Sequence, residues 1–448
     1  MAEPVAGAAV QTGLSVNRNP RALLLTLTIA ASLGQIASTI YVPSVPAIAS
    51  ALETSVAHVQ FTFVGYLLAF AASMLVLGPL SDRYGRRRIM TFGVALSAIG
   101  SIACVASPTI ELLIAARILQ GVGLAGGMVI GRAIVRDLYE ERGSAQIIAG
   151  MAIAMTLLQA FAPIPGGYLQ TWIGWRANFT AVALLTAVAW VLVVRYVPRV
   201  TSTGESRSPT RTLPAGVMLQ SYRNLVKNRR FLGYALTATG AHAGFHIFAA
   251  GTPAVFILSF GIAPESYGYY ASLPPIGFLV GSFLSNRLTV RLGIDWLIAI
   301  GSAALIPAGF GMLVLALLNV ASPYAIVGPM IVICLGSGLI TPNAVAGGLG
   351  VRAGVVGTAS GLTSFFQMTG AAGATAALSL GASGSPIALS VIIASAGLLA
   401  VTAFASLARL DPDPLRRDPL LDRPGSSTSE KADRPQPPLR TRRVPAGF

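Results

Sequence analysis

The chain has 448 residues, of which 54% are hydrophobic and 10% charged, with a net charge of +15 at pH 7. An average soluble domain carries about 25% charged residues, so this composition excludes an ordinary water-soluble globule and fits a helix bundle solvated by lipid. The positive balance does not point to a nucleic-acid partner: the charges fall in short connections and tails between apolar runs, as membrane topology requires, and no aromatic-basic motif accompanies them.

Residues 1–20 are small, polar and weakly charged and are expected to form a cytoplasmic tail. The first apolar run has no convincing cleavage site and continues into Tyr41-Val42-Pro43, so it reads as a retained helix and not a signal peptide. A helix needs about 20 apolar residues to cross the hydrocarbon core. Twelve such spans are predicted, at 21–42, 58–80, 89–107, 112–135, 145–169, 178–197, 231–259, 267–286, 295–318, 324–348, 354–381 and 385–407. Alternate connections carry Arg83 and Arg86 to Arg88, Arg136 and Arg142, Arg223 to Arg230, Arg287 and Arg291, and Arg352. The opposite set carries Glu53, Glu111, Arg176 and Glu265. The basic set is therefore expected to be cytoplasmic, with both termini on the same side and an even number of spans.

The polar stretch 198–230 is read as a cytoplasmic central loop between two sets of six spans, residues 21–197 and 231–407. Residues 408–448, rich in Pro, Arg and Asp, read as a disordered cytoplasmic tail. Weak echoes link the halves: Pro43, Gly78 and Arg83 in the first are matched by Pro253, Gly281 and Arg287 in the second. The expected fold is therefore all-α and polytopic, with twelve transmembrane helices in two pseudo-symmetric six-helix bundles.

Between spans two and three lies Gly78-Pro79-Leu80-Ser81-Asp82-Arg83-Tyr84-Gly85-Arg86-Arg87-Arg88. Gly85 permits a tight turn, and Asp82 can pair with a neighbouring Arg. The stretch is either a merely basic inner loop or a clasp closing the two halves on the cytoplasmic side; its particular spacing selects the clasp. Arg117 falls a turn or two inside span four, where an ionisable residue is costly and a functional candidate by default. Gln120 and Gly121 share its face. The bland alternative is an Arg that snorkels to the interface.

Pro163, Pro165, Gly166 and Gly167 are expected to kink span five. His242 and His246 are four residues apart on one face of span seven, and His titrates near neutral pH; they are either proton-carrying groups or packed residues. No metal site is expected, because the further ligands that one needs are not evident. Cys104 and Cys334 fall inside spans and form neither a disulfide framework nor a metal pattern. Candidates to line a central substrate cavity are Gln35, Thr39, Tyr41, Gln60, Tyr66 and Gln120 in the first half. In the second they are Phe245, Asn343 and Gln367 with the two His residues. For each, a helix-to-helix hydrogen bond is the competing role.

The Gly78–Arg88 stretch resembles the signature loop of the major facilitator superfamily. Arg117-Ile118-Leu119-Gln120-Gly121 is similar to the Arg-x-x-Gln-Gly motif of that family, and Ala162-Pro163-Ile164-Pro165-Gly166-Gly167 is similar to its antiporter motif, although Leu158 and Ala162 replace two motif glycines. Tyr41-Val42-Pro43-Ser44-Val45-Pro46, Trp175-Arg176 and Thr252-Pro253-Ala254-Val255-Phe256 then resemble the Bcr/CflA branch, which includes bicyclomycin and chloramphenicol exporters. The resemblance covers about residues 20–407. It implies a monomeric transporter of a bacterial inner membrane that exports small amphipathic molecules, drugs or metabolites, by alternating access. It implies no cofactor, the proton gradient as energy source, and a proton-coupling role for Arg117 with Gln120.

Exporters of this branch carry an acidic residue where this chain has Thr39, and no other Asp or Glu lies deep in a predicted span. The two His residues of span seven are the substitute that this departure suggests. It also keeps open a proton-coupled importer or facilitator of a metabolite. A membrane enzyme or sensor is disfavoured: there is no phosphate-binding Gly-rich loop, no His-Glu-x-x-His, no carboxylate pair within the spans and no soluble output domain.

Overall fold

A chain in lipid must satisfy every backbone N–H and C=O internally, so long apolar runs become helices. The computed structural model describes residues 19–198, 215–351, 356–381 and 384–408. The predicted tails before Asn19 and after Ala408, residues 199–214 of the central loop, and Arg352 lie outside these residues.

The first half comprises α1 (Pro20–Thr39), a 3-10 turn at Val42–Ser44, α2 (Val45–Ala51), α3 (Val56–Tyr84), α4 (Arg86–Ala106), α5 (Ile110–Leu138), α6 (Glu141–Phe161), α7 (Pro163–Trp172) and α8 (Arg176–Tyr196). After α9 (Ala215–Lys227), the second half comprises α10 (Arg229–Pro253), α11 (Pro264–Leu292), α12 (Ile294–Leu317), α13 (Tyr324–Leu349), α14 (Val356–Gly381) and α15 (Pro386–Ala403). Polar caps start the helices where the sequence supplies them: the side chains of Asn19, Ser55, Thr109, Asn228 and Ser385 each accept from the backbone N–H three residues on. Gly85, with φ of +97°, makes the turn from α3 to α4 that an L side chain would strain.

Ten helical stretches among the described residues are long and apolar enough to cross a membrane. The other two crossings are α11 and α14, of 29 and 26 residues. Both are second-half helices that pack on the first half. Helix α14 lies along α3, and α11 lies along α6 and α7. The second span of each half thus meets the fifth span of the other, the pairing a twofold relation between the halves produces. Large apolar side chains such as Leu25, Phe92, Ile102, Phe283 and Trp296 are exposed, as a lipid-facing surface demands.

One feature departs from the sequence reading. The central loop contains α9, whose Leu225 is buried against Phe231, Ala235, Ala359 and Leu362 while Arg223 and Lys227 are exposed. Span five bends between α6, which ends at Phe161, and α7, which restarts at Pro163, a residue with no N–H to continue the ladder.

The break aims α7 at α11. A Cβ at Gly167 would fall on the Pro264 carbonyl, and one at Gly268 would lie 2.6 Å from the Ile164 Cα, so the two backbones touch. Thr171 donates to the Glu265 carboxylate at 2.5 Å, and the Tyr168 and Tyr269 hydroxyls are 3.0 Å apart. The halves are therefore zipped at the end opposite the Gly78–Arg88 stretch. Gly268→Leu should overpack this crossing by about 1–3 kcal/mol, shifting the open–closed balance toward open by about fivefold to 150-fold. Spin labels at Tyr168 and Tyr269 report it as a longer distance; an unchanged distance would show that the glycine contact is not the latch.

Candidate functional site

Arg117 is 0% exposed, about two turns into α5. It does not snorkel. Its Nη1 donates to the Ala37 carbonyl at 3.0 Å and to the Gln120 side-chain oxygen. Gln120 in turn donates to the Ser101 hydroxyl at 2.7 Å, so one polar chain ties α1, α5 and α4. The guanidinium carbon sits 4.2 Å from the Tyr66 ring centre, 4.5 Å from Tyr41 and 5.9 Å from Phe179. No carboxylate pairs with it among the described residues. Desolvating an ion costs several kcal/mol. Charge-assisted hydrogen bonds return about 1.5–3 kcal/mol each, and cation–π contacts up to about 2. The cage thus roughly offsets the cost while leaving the positive charge without a counter-ion.

Around this centre the sequence-predicted cavity residues separate into distinct roles. Tyr41 and Tyr66 wall the cage, and their hydroxyls are held by Thr62 at 3.0 Å and by the Gly34 carbonyl at 2.7 Å. Asn343 takes the competing role of a helix clamp: it donates to Ser285 and the Leu339 carbonyl and accepts from Thr289. Gln35 is half-buried with no side-chain hydrogen bond among those described. Gln60 joins the halves by donating to the Ala250 carbonyl at 3.1 Å and accepting from Ser379 at 2.8 Å. Gln367 is buried with its amide nitrogen unpartnered.

Thr39 and Phe245 do line a cavity, together with Val42, Gln159, Pro163, Phe248 and Tyr267. These residues come from both halves. The space holds about one water molecule, so the halves are closed around it. Thr39 donates to the Gln159 carbonyl at 3.1 Å, which pins α1 to the last turn of α6. The His242 and His246 rings lie with their centres 4.7 Å apart, tilted 52° to each other. His246 also lies 6.0 Å from Phe63 of the first half and 5.5 Å from Phe245, so the pair sits beside the same interface.

At the Gly78–Arg88 stretch, Arg86 pairs with Asp82 and, at 3.1 Å, with Asp137 at the end of α5. Arg87 donates to the Val194 carbonyl of α8, and Arg83 lies over the Tyr84 ring. Gly78 faces Val129 of α5. All these partners belong to the first half, so these pairs do not clasp one half to the other, as the sequence reading expected. They fix α3, α4, α5 and α8 as one unit that can move together. Asp82→Asn should lower transport severalfold while membrane expression stays near wild type, since an exposed pair is worth about 0.2–1 kcal/mol. Normal flux through the Asn variant would remove the assignment.

Sequence reasoning missed Asp137, Gln159, Phe179 and Ser101. Only Asp137 carried a signal, as the acid at the basic end of α5; the rest are made neighbours by helix packing alone.

A bundle of membrane-crossing helices in two exchanged halves, with a buried charge and a small cavity between them, defines a transporter. A sequence model of the Major Facilitator Superfamily matches residues 27–375, and the chain belongs to that superfamily. It is 30% identical over 365 residues to the Multidrug resistance protein D of Escherichia coli strain K12, covering 80% of this chain and 88% of that protein. It is 28% identical over 345 residues to the Bicyclomycin resistance protein homolog of Haemophilus influenzae, covering 76% and 84%. In fold it is similar to the xylose transporter of Escherichia coli in a partially occluded inward open conformation, with a TM-score of 0.67 over 86% of this chain and 97% of that one at 13% identity.

Proposed function

We propose that this transporter exports small amphipathic molecules, drugs or metabolites, in exchange for protons, by rocking its two halves about the cavity near Thr39 and Phe245. The observation that carries the reading is the α6–α7 break. Its Pro163–Gly167 segment packs backbone to backbone on the other half, where an antiporter must open and reseal one end. The relatives named as resistance proteins support the direction. The basic end, carrying Arg86, is cytoplasmic in this reading. Both termini then face the cytoplasm of a bacterial inner membrane, and the protein works as a monomer with the proton gradient as its energy source and no cofactor.

The test is a panel of inhibitor sensitivities in an efflux-deficient bacterium expressing the chain, with and without a protonophore. Export predicts reduced sensitivity and lower internal drug, both lost on adding protonophore. Raised internal accumulation would establish import instead.

A further inference from the structure

The two seams between the halves are built differently. Where α7 meets α11, backbones touch at glycines, and the polar pairs Thr171–Glu265 and Tyr168–Tyr269 lie at the exposed rim. Along α3, the described hydrogen bonds that cross between the halves are buried, and both end on one side chain. Gln60, 2% exposed, donates to the Ala250 carbonyl of α10 at 3.1 Å and accepts from the Ser379 hydroxyl of α14 at 2.8 Å. The amide is satisfied at both its ends only while three helices stay together. Drawing α3 away breaks both bonds, and in a dry interface nothing replaces them until the gap admits water.

The place of Gln60 decides what this seam covers. It lies in the second turn of α3, at the end opposite the Gly78–Arg88 stretch. Phe63 follows three residues on, about 4.5 Å deeper. On α10, Ala250 and His246 are four residues apart, about one turn. The contacts therefore run in register: Gln60 to Ala250, then Phe63 to His246 one turn deeper. Phe245, next to His246, lines the cavity. Separation at Gln60 thus comes before either is uncovered from that end. Ser379 also donates to the Thr375 carbonyl of its own helix at 2.9 Å, so it can release Gln60 without being left unpaired.

We propose that Gln60 is the releasable latch of this seam: its bonds to Ala250 and Ser379 hold the halves closed over His246 and the cavity, and their joint release opens that end. Gln60 is a positioning residue, acting through the helices it joins. The proposal rests on the reading above that the halves rock, and not on the cargo or the direction of its movement.

The experiment uses full-length protein in lipid nanodiscs, with Cys104 and Cys334 replaced by Ala. Spin labels are attached at cysteines replacing His58 of α3 and Leu380 of α14, two exposed positions beside the latch. Gln60→Met keeps the length and bulk of the side chain without its hydrogen bonds. It should raise the ratio of long-distance to short-distance populations about tenfold or more. Ser379→Ala should shift the ratio less and in the same direction, since the bond to Ala250 remains. It keeps the test decisive if Gln60→Met does not fold. A side chain that only fills space would leave the distances of both variants unchanged, which would overturn the latch. Gly268→Leu, acting at the other seam, separates the two readings. Lengthening there, with none in the Gln60 and Ser379 variants, overturns the latch alone. No lengthening in any of the three overturns the rocking reading with it.

Discussion

Arg117→Ala should reduce proton-dependent transport to background while the protein still folds and inserts. The two halves of this expectation have separate causes. Removing the side chain deletes two charge-assisted hydrogen bonds, worth about 1.5–3 kcal/mol each. It also removes a desolvated cation that costs a comparable amount. The net effect on folding is therefore small. Function has no such compensation, because Arg117 is the charge that joins α1 through Ala37, α4 through Gln120 and Ser101, and the Tyr41 and Tyr66 rings. Arg117→Lys should also lose most transport, since an ammonium cannot lie flat between two rings while donating sideways to Ala37 and Gln120. The measurements are flux in proteoliposomes and melting of the purified protein. Full activity in the Lys variant would reduce Arg117 to a point charge; a collapsed melting temperature in the Ala variant would make it a folding residue.

Much of this was legible in the sequence, and the limits have physical causes. Hydropathy alone located the spans because lipid enforces helices wherever the chain crosses it. The basic α9 was missed because a short helix lying on the bundle carries no span-length apolar signal. Arg117 with Gln120 was legible because three-residue spacing puts both on one face, and because a buried Arg is rare enough to stand out. Its cage was not, since Tyr41, Tyr66 and Phe179 come from three separate stretches. Asn343 shows the converse: a polar residue in a span looks like a cavity residue, yet its partners Ser285 and Thr289 make it a clamp between α11 and α13. The Gly78–Arg88 stretch as a whole was expected to clasp the halves, whereas Asp137, distant in sequence, holds Arg86 within the first.

The double variant His242→Gln, His246→Gln should lose the ability to concentrate substrate against its gradient while keeping downhill exchange. A proton antiporter needs a group that changes charge during its cycle, and Thr39, where the family resemblance implies an acid, cannot supply one. Among the described residues no carboxylate lies deep in a helix, and Arg does not release its proton at accessible pH. The His pair alone offers imidazoles, the side chain whose ordinary pKa in water lies in the working range, within the membrane interior. Its surroundings suit a switch. The rings lie 4.7 Å apart, so a proton on one disfavours a proton on the other. The His242 Nε2 is buried with no partner, free to accept a proton without breaking a hydrogen bond. Phe63 of the first half caps His246 from across the interface, so opening the halves would uncover the pair to water and closing would dry it. Gln keeps hydrogen-bonding capacity at a similar size but cannot titrate, which separates packing from proton carriage. The assay is substrate flux in proteoliposomes with an imposed pH gradient, read once uphill and once downhill. If the double variant still accumulates substrate uphill, another group carries the proton and the two histidines only pack α10 against α3.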